Sequence, residues 1–273
     1  MSYHETLNLD SISTIARIDP DSISETGLWV APLMSPGRRI GYGYPAILAD
    51  VQAGRWVGMA ALEHLFADET TPDSAVVELV PSIPGALHRA IDSYPRNAIG
   101  LDCRGEPTDE LREAASEIGG TILGVALAQP GEANTTVTPL NGKFKYPGLR
   151  CGFHVDNKDK KPLVERDRSR RRFIPNRGPG GRLAAFCLPD ITTMGRVLGY
   201  PEDKVPDHEI YRKYMYEYPR SAVCIGMPVG PGQGSLINTD LILHDGMTIG
   251  ASQESMTFQV LGNWSRGELA RAA

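Results

Sequence analysis

Turn-forming residues divide this chain into short segments, and that division limits the folds it can adopt. Its 273 residues include 29 Gly and 21 Pro, which favours many short elements over a bundle of long helices. From about residue 135 onward the segments are rich in β-forming residues and bounded by Gly, Pro, Asn or Asp. They are TTVTPL (135–140), GLRCGFHVD (148–156), RRFI (171–174), RLAAFCLP (182–189), SAVCIGM (221–227), SLINTDLILHD (235–245) and ESMTFQVLGNW (254–264). This spacing predicts a β-sandwich or barrel.

The first half of the chain has a mixed α+β pattern. Thr108 is suited to cap a helix whose apolar residues recur at helical spacing and which ends at Gly119. Further helices are predicted at residues 53–66 and 85–93, and strands at 97–102 and 121–128. A helical insertion, residues 191–218, interrupts the β segments, with its second helix opened by Asp207.

Composition excludes several classes of protein. The formal net charge is -5, from 28 Lys+Arg against 33 Asp+Glu, which argues against nucleic-acid binding through bulk charge. No apolar run approaches the roughly 20 residues needed to span a membrane, and the first residues lack the pattern of a signal peptide. The four cysteines contain no CxxC pair, so a reduced, cytoplasmic setting is predicted.

Two histidines and a carboxylate occur at the ends of predicted strands. Residues i and i+2 of a strand face the same way, so His154 and Asp156 should project together. Ninety residues later, His244 lies at the end of an apolar strand that follows a Gly/Pro turn. Two imidazoles and one carboxylate form the facial triad of non-heme Fe(II) oxygenases, which leaves other metal positions open.

This arrangement of HxD, intervening strands, a Gly/Pro turn and His-Asp-Gly resembles the Fe(II)- and 2-oxoglutarate-dependent oxygenases. The resemblance covers about residues 95–264. It implies an α+β fold with a double-stranded β-helix (jelly-roll, cupin-like) core, and His154, Asp156 and His244 as iron ligands. It also implies a dioxygenase that uses O2 and 2-oxoglutarate to oxidise a small molecule such as an amino acid or secondary metabolite. The carboxylate of Asp156 argues against halogenation, because related halogenases have a small residue there.

The resemblance also implies a domain organisation. We expect a single domain of residues 1–273, in which residues 1–94 form a mixed, partly helical support and residues 95–264 form the jelly-roll core. The insertion at 191–218 is expected near the mouth of the barrel.

One feature departs from the family pattern. Most members carry an Arg or Lys ten to fifteen residues beyond the distal His, where it binds the far carboxylate of 2-oxoglutarate. Here the first basic residue after His244 is Arg266. Because a guanidinium is the natural partner of a carboxylate, Arg182 is the preferred candidate and Arg266 the next, and Asn176 is a further cofactor-binding candidate or a turn residue. Lesser candidates are Arg172, Arg150, Lys143 and Lys145.

Positive charge is concentrated between residues 158 and 182, with seven arginines. Two interpretations stay open, namely a solvated loop and a lid that attracts an anionic substrate.

Two other functions also stay open. One is an oxidase or cupin-like metal enzyme without 2-oxoglutarate, for which His208 would be the spare ligand. The other is a non-catalytic barrel that binds a ligand. A Ser/His/Asp hydrolase is disfavoured because no GxSxG motif occurs.

Overall fold

A computed structural model describes residue 9 and residues 12–23, 27–34, 47–94, 104–131 and 152–272. The strands are β1 (Arg17–Ile18), β2 (Leu28–Met34), β3 (Leu48–Ala49), β4 (Arg55–Val57), β5 (Val76–Val80), β6 (Arg104–Gly105), β7 (Thr121–Gly131), β8 (Arg171–Pro175), β9 (Arg182–Leu188), β10 (Val223–Val229), β11 (Gly234–Ile237), β12 (His244–Met247) and β13 (Ser255–Asn263). The helices are α1 (Gly85–Asp92), α2 (Asp109–Ser116), α3 (Ile191–Val197), α4 (Glu209–Glu217) and α5 (Glu268–Arg271).

The described strands form two sheets. The first has the order β1-β5-β11-β8-β13-β7-β6, and the second has the order β12-β9-β10-β2-β3, with β4 also paired to β2. All the pairings within these sheets are antiparallel except that of β1 with β5. Sequentially distant strands such as β8 and β13 are neighbours, so the sheets are not simple meanders.

The main core lies between the sheets. One buried cluster joins Val77 and Ile237 of the first sheet to Val30, Phe186 and Ile225 of the second. Burial of apolar side chains from both inner faces is the stabilising interaction of a β-sandwich. The fold is therefore α+β, with antiparallel sheets consistent with a sandwich or jelly roll.

Helices cover the outer faces of both sheets. Leu87 of α1 and Leu111 of α2 belong to one buried cluster with Phe173 of β8. On the second sheet, Met194 of α3 and Tyr211 of α4 belong to another cluster, which also contains the strand residues Ala185, Cys187 and Cys224. The insertion thus packs on the outer face of the second sheet, whereas we expected it near the mouth of the barrel.

The predicted helix after Thr108 is confirmed. Thr108 Oγ1 accepts a hydrogen bond of 3.3 Å from Leu111 N, which satisfies one of the free N–H groups of the first turn. Leu111, Ala114 and Ala115 are buried. Gly119 follows with φ +77°, a left-handed conformation that favours glycine and ends the helix.

The helix predicted at 53–66 is wrong. Residues 55–57 form β4, in which Trp56 lies opposite Trp29 of β2, and short 3-10 turns follow it. A Cβ at Gly54 would lie 2.0 Å from the Trp29 ring, so the absence of a side chain there allows the strand to approach. Tertiary pairing of this kind overrides local helical periodicity.

The remaining β predictions have mixed outcomes. Strands occur as expected at 121–131, 171–175, 182–188, 223–229 and 255–263. The segment 235–245 is not one strand but two, β11 and β12, separated by a turn at Asn238–Leu241. The predicted strands at 97–102 and 135–140 lie outside the described residues, as does the first part of 148–156.

The arginine-rich segment, residues 158–182, does not form a lid; all of it lies within the described residues. Arg166, Arg171 and Arg172 are buried, and the last two belong to β8 in the middle of the first sheet. No helix of the described residues is long and apolar enough to cross a membrane.

Candidate metal centre

Two backbone segments are joined where the predicted ligands occur. His154 and His244 form an isolated antiparallel bridge, with His244 N donating to His154 O at 3.0 Å. Asp156 N donates to Thr239 O at 2.9 Å, which extends this contact. His244 also lies opposite Phe186 of β9. Because opposed residues of antiparallel strands share a face, the imidazole of His244 projects into the space between the sheets with Phe186.

The structure brings together the three residues that the sequence predicts as metal ligands. One ligand atom from each of His154, Asp156 and His244 lies within 4.8 Å of the other two. His244 Nε2 is 3.6 Å from Asp156 Oδ2, and the two imidazole ring centres are 4.7 Å apart. His244 is buried, whereas His154 and Asp156 are half-buried.

Both imidazoles are oriented by the backbone. His154 Nδ1 lies 2.8 Å from Gly152 O, and His244 Nδ1 lies 3.1 Å from Ile242 O. A carbonyl only accepts, so each Nδ1 carries a proton, and in the neutral form of each ring the lone pair lies on Nε2. Such a second contact fixes the tautomer and ring orientation of metal-binding histidines.

Electrostatics keeps His244 and Asp156 in their metal-binding protonation states. Burial, aided by the nearby His154, lowers the pKa of His244 to about 3. Burial raises the pKa of Asp156, but the charge of Arg172 and the two imidazoles outweigh it and hold that pKa well below its usual range. Near neutral pH the site therefore contains a neutral His244 and an ionised Asp156, the forms in which these two residues bind a divalent metal.

Arg172, a lesser candidate for binding 2-oxoglutarate, also lies at this site, where it contacts Asp156. It is buried on β8, with Nη2 2.5 Å from Asp156 Oδ2 and Nη1 donating to Gln259 Oε1 at 2.9 Å. The contact with Asp156 is an ion pair without hydrogen-bond geometry, and Asp156 Oδ2 is buried without a hydrogen-bond partner among the described residues. A buried carboxylate oxygen of this kind has acceptor capacity left for a metal.

A second arginine holds the segment that carries Asp156. Arg166 is fully buried; Nη1 donates to Asp240 O at 3.0 Å and Nη2 donates to Asn157 Oδ1. The Asp240 carboxylate accepts from Asp159 N at 2.7 Å. Burial raises the pKa of Asp240. These contacts fix residues 156–159 against the turn before His244. The sequence offers no local signal for the contacts with Asp240, because its partners Arg166 and Asp159 are 74 and 81 residues away.

The three candidates for cofactor binding have different surroundings. Arg182 is on the same face of β9 as Phe186, four residues away. Burial lowers the pKa of Arg182 to about 10, so it stays charged near neutral pH. Among the described residues, no hydrogen-bond acceptor is found for its guanidinium. Arg150, Lys143 and Lys145 lie outside the described residues.

Arg266 and Asn176 are engaged elsewhere. The guanidinium of Arg266 donates to Asp19 Oδ1 and Asp68 O. Asn176 is fully buried, and its side chain bonds only backbone groups. It donates to Gly180 O and Val229 O, and accepts from Gly178 N and Met256 N. Two donors and two acceptors use the whole capacity of an amide, which favours the interpretation of Asn176 as a turn residue over a role in cofactor binding.

The donor set suits a mononuclear metal such as Fe(II). Two imidazole nitrogens and one carboxylate oxygen are the ligands of the non-heme Fe(II) facial triad. The oriented Nε2 atoms and the unused Asp156 oxygen fit such an ion. His208, the fallback ligand, is exposed beside the start of α4.

Comparison with known proteins gives one partial likeness. No protein-family description matches the sequence, and no curated protein matches it. Two solved structures match, a cobalt(II) complex and an apo form of the Kdo hydroxylase KdoO, described as a non-heme Fe(II) alphaketoglutarate-dependent dioxygenase. Each is 13% identical, over 74% of this chain and 83% of KdoO, with TM-scores of 0.34 and 0.32. The chain is thus only distantly similar in structure to these dioxygenases.

Proposed function

We propose that this protein is a mononuclear non-heme Fe(II) oxygenase that uses 2-oxoglutarate and O2 to oxidise a small molecule. The observation that carries the proposal is the cluster of His154, Asp156 and His244, in which the Nδ1 atoms of both imidazoles contact backbone carbonyls. Three metal-binding groups at one partly buried place are costly unless a metal compensates them. This cost favours the enzyme over a non-catalytic barrel.

The proposal includes a jelly-roll core. In it, β7, β13, β8 and β11 would be four neighbouring strands of one sheet. The segment at His154, β12, β9 and β10 would be four neighbouring strands of the other. In chain order, each of these strands would lie in the other sheet from the strand before it, except that β9 and β10 share a sheet. Two interleaved Greek keys have this order. The HxD segment and the start of β12 would then lie side by side at one end of the barrel.

Arg182 is our proposed partner for the distal carboxylate of 2-oxoglutarate. Its Cα is about 13 Å along β9 from the residue opposite His244, by the rise of a strand. It faces the space between the sheets, and its guanidinium has the geometry to bind a carboxylate through two hydrogen bonds. We do not propose this role for Arg266, because its guanidinium is bound to Asp19 and Asp68.

The roles of the chain's own residues follow from their contacts. His154, Asp156 and His244 would hold iron, which together with 2-oxoglutarate and O2 supplies an oxidant for a C–H bond while the keto acid becomes succinate and CO2. The carbonyls of Gly152 and Ile242 keep the imidazoles in the correct tautomer. The contact of Asp156 N with Thr239 O keeps the carboxylate next to His244. A set of ligands on rigid strands limits the metal to one position.

An anaerobic titration of the Fe(II)-loaded protein with 2-oxoglutarate tests this function. A keto acid bound to iron through two oxygens gives a visible charge-transfer band. We expect the band in wild type, its loss in His154→Ala, and a requirement for at least about tenfold more 2-oxoglutarate in Arg182→Met, as expected for a lost charge-assisted contact. Arg112→Met, which changes an exposed arginine of α2, is the matched control.

The titration also separates the alternatives. Iron bound without a band would identify an oxidase or cupin-like enzyme that does not use 2-oxoglutarate. No bound iron would leave the ligand-binding barrel. A band unaffected by Arg182→Met would keep the enzyme and remove Arg182 from the cosubstrate site.

A further inference from the structure

Arg172 places a permanent positive charge at the ion site. Its side chain leaves β8 on the inner face of the first sheet, opposite Ile237 and Leu261. It ends with Nη2 2.5 Å from Asp156 Oδ2. Arginine is not deprotonated in proteins near neutral pH, so this charge is present whether or not a metal is bound.

The guanidinium and a metal would share one ligand atom. Oδ2 is the oxygen of Asp156 that approaches His244 Nε2, at 3.6 Å, and it is also the oxygen nearest to Arg172. Without a metal, the carboxylate and the guanidinium neutralise each other beside the two imidazoles. A divalent ion therefore enters a site in which the carboxylate of Asp156 is already paired.

The charge balance then favours an anion. With a divalent metal, the charges of Asp156, Arg172 and the ion add up to two positive charges in a largely buried space. Like charges repel strongly where water is excluded. Among the described residues, the contact on the other side of Arg172 is the neutral amide of Gln259, so no second carboxylate offsets this charge there. A ligand with two negative charges lowers this repulsion.

We propose that Arg172 couples metal binding to the binding of a dianionic ligand, so that this site holds a divalent metal weakly alone and tightly together with a dicarboxylate such as 2-oxoglutarate. The inference rests on the metal site of the proposed function. It assigns Arg172 as a positioning residue that sets the charge of the site. By linkage, the metal strengthens binding of the anion by the same factor.

Mn(II) binding, followed by the electron paramagnetic resonance signal of free Mn(II), tests the coupling without turnover. The Kd for Mn(II) is measured at neutral pH with and without saturating 2-oxoglutarate, and the ratio of the two values is the coupling factor. In Arg172→Met, we expect Mn(II) alone to bind at least about tenfold more tightly than in wild type, and the coupling factor to fall at least about tenfold. Arg172→Lys keeps the charge and should retain most of the coupling.

Gln259→Glu is a second variant that leaves Arg172 in place. It puts a carboxylate where the Gln259 amide now accepts from Nη1 at 2.9 Å, and so neutralises the guanidinium with little change in shape. We expect the same direction as for Arg172→Met, namely tighter Mn(II) alone and weaker coupling. This variant keeps the test valid if Arg172→Met does not fold. Arg112→Met serves again as the control for loss of a remote positive charge.

The outcomes distinguish the inference from the function. Weaker Mn(II) binding in Arg172→Met and Gln259→Glu, or an unchanged coupling factor, would overturn the inference and leave the metal site standing. Absence of Mn(II) binding by wild type under both conditions would instead overturn the metal site, and the inference with it.

Discussion

Arg166 should be a determinant of both stability and metal binding, although it touches no ligand atom. Its guanidinium is fully buried and bonds Asp240 O and Asn157 Oδ1, with Nη1 3.8 Å from the Asp240 carboxylate. Arg166→Met keeps much of the side-chain volume and removes the charge and the donors. Asp240 then stays buried next to Asp159 without its cation.

The expected cost is large. Each hydrogen bond from a charged donor contributes about 1.5–3 kcal/mol, and removing one partner of a buried ion pair costs about 3–5 kcal/mol. These contributions overlap, so we expect the free energy of unfolding to fall by about 3–5 kcal/mol. Because the segment carrying Asp156 loses its anchor, Mn(II) affinity should fall by about 10- to 100-fold, as for other residues that orient metal ligands.

Urea unfolding and Mn(II) titration measure the two effects. Arg168→Met is the matched control, because Arg168 lies two residues further on in the same 3-10 helix, Leu163–Arg168, and is exposed. We expect Arg168→Met to change stability by no more than about 0.5 kcal/mol. If Arg166→Met and Arg168→Met had equal stability and equal Mn(II) affinity, the reasoning from burial would be refuted.

Four further predictions concern single residues. His244 has a pKa of about 3 when folded and 6.5 as a free side chain. Between pH 6.5 and pH 3 the imidazole is therefore protonated in the unfolded state and neutral in the folded state. As the pH falls through this range, the metal-free protein should lose up to about 1.4 kcal/mol of unfolding free energy per pH unit. Urea unfolding at several pH values should show a smaller slope in His244→Gln. Asn176→Ala should lower the unfolding free energy by about 3 kcal/mol, from four lost backbone contacts, and leave 2-oxoglutarate affinity unchanged; the reverse result would restore a cofactor role. Arg171→Met should cost about 3–5 kcal/mol in urea unfolding, because it leaves Glu78 buried without its cation, and a far smaller loss would contradict the pairing. Thr108→Ala should cost about 1 kcal/mol, the value of a helix cap, and an unchanged urea midpoint would argue against the cap.

The ligand set was predictable from sequence because its signals are local. His154 and Asp156 are two residues apart, so strand alternation places them on one side. The Gly/Pro turn before β11 indicates a return of the chain, and His244 follows it. The helix after Thr108 was predictable for the same reason, since its cap, apolar spacing and terminal Gly119 lie within a dozen residues.

The roles of the arginines were not predictable, because their partners are distant in sequence. Arg171 and Arg172 are adjacent and face opposite sides of β8. Arg171 pairs with Glu78 of β5, and Arg172 pairs with Asp156 across the space between the sheets. A run of positive charge is usually solvated, and only the sheet order shows that these charges are buried and paired. The helix predicted at 53–66 was wrong in its second half for a related reason. The 3-10 turns found there depend on the packing of Leu62 and Leu65 in the core between the sheets.

Metal stoichiometry tests the central claim most directly. Wild type, Asp156→Ala and His244→Ala would each be incubated with Co(II) and saturating 2-oxoglutarate, freed of excess ion in buffer that contains 2-oxoglutarate, and analysed for cobalt by mass spectrometry, with His208→Ala as the control histidine. The account predicts about one equivalent of cobalt in wild type and His208→Ala, and a small fraction of that in the other two, because loss of a ligand removes much of the binding energy. Equal cobalt in all four proteins, or none in wild type, would contradict it.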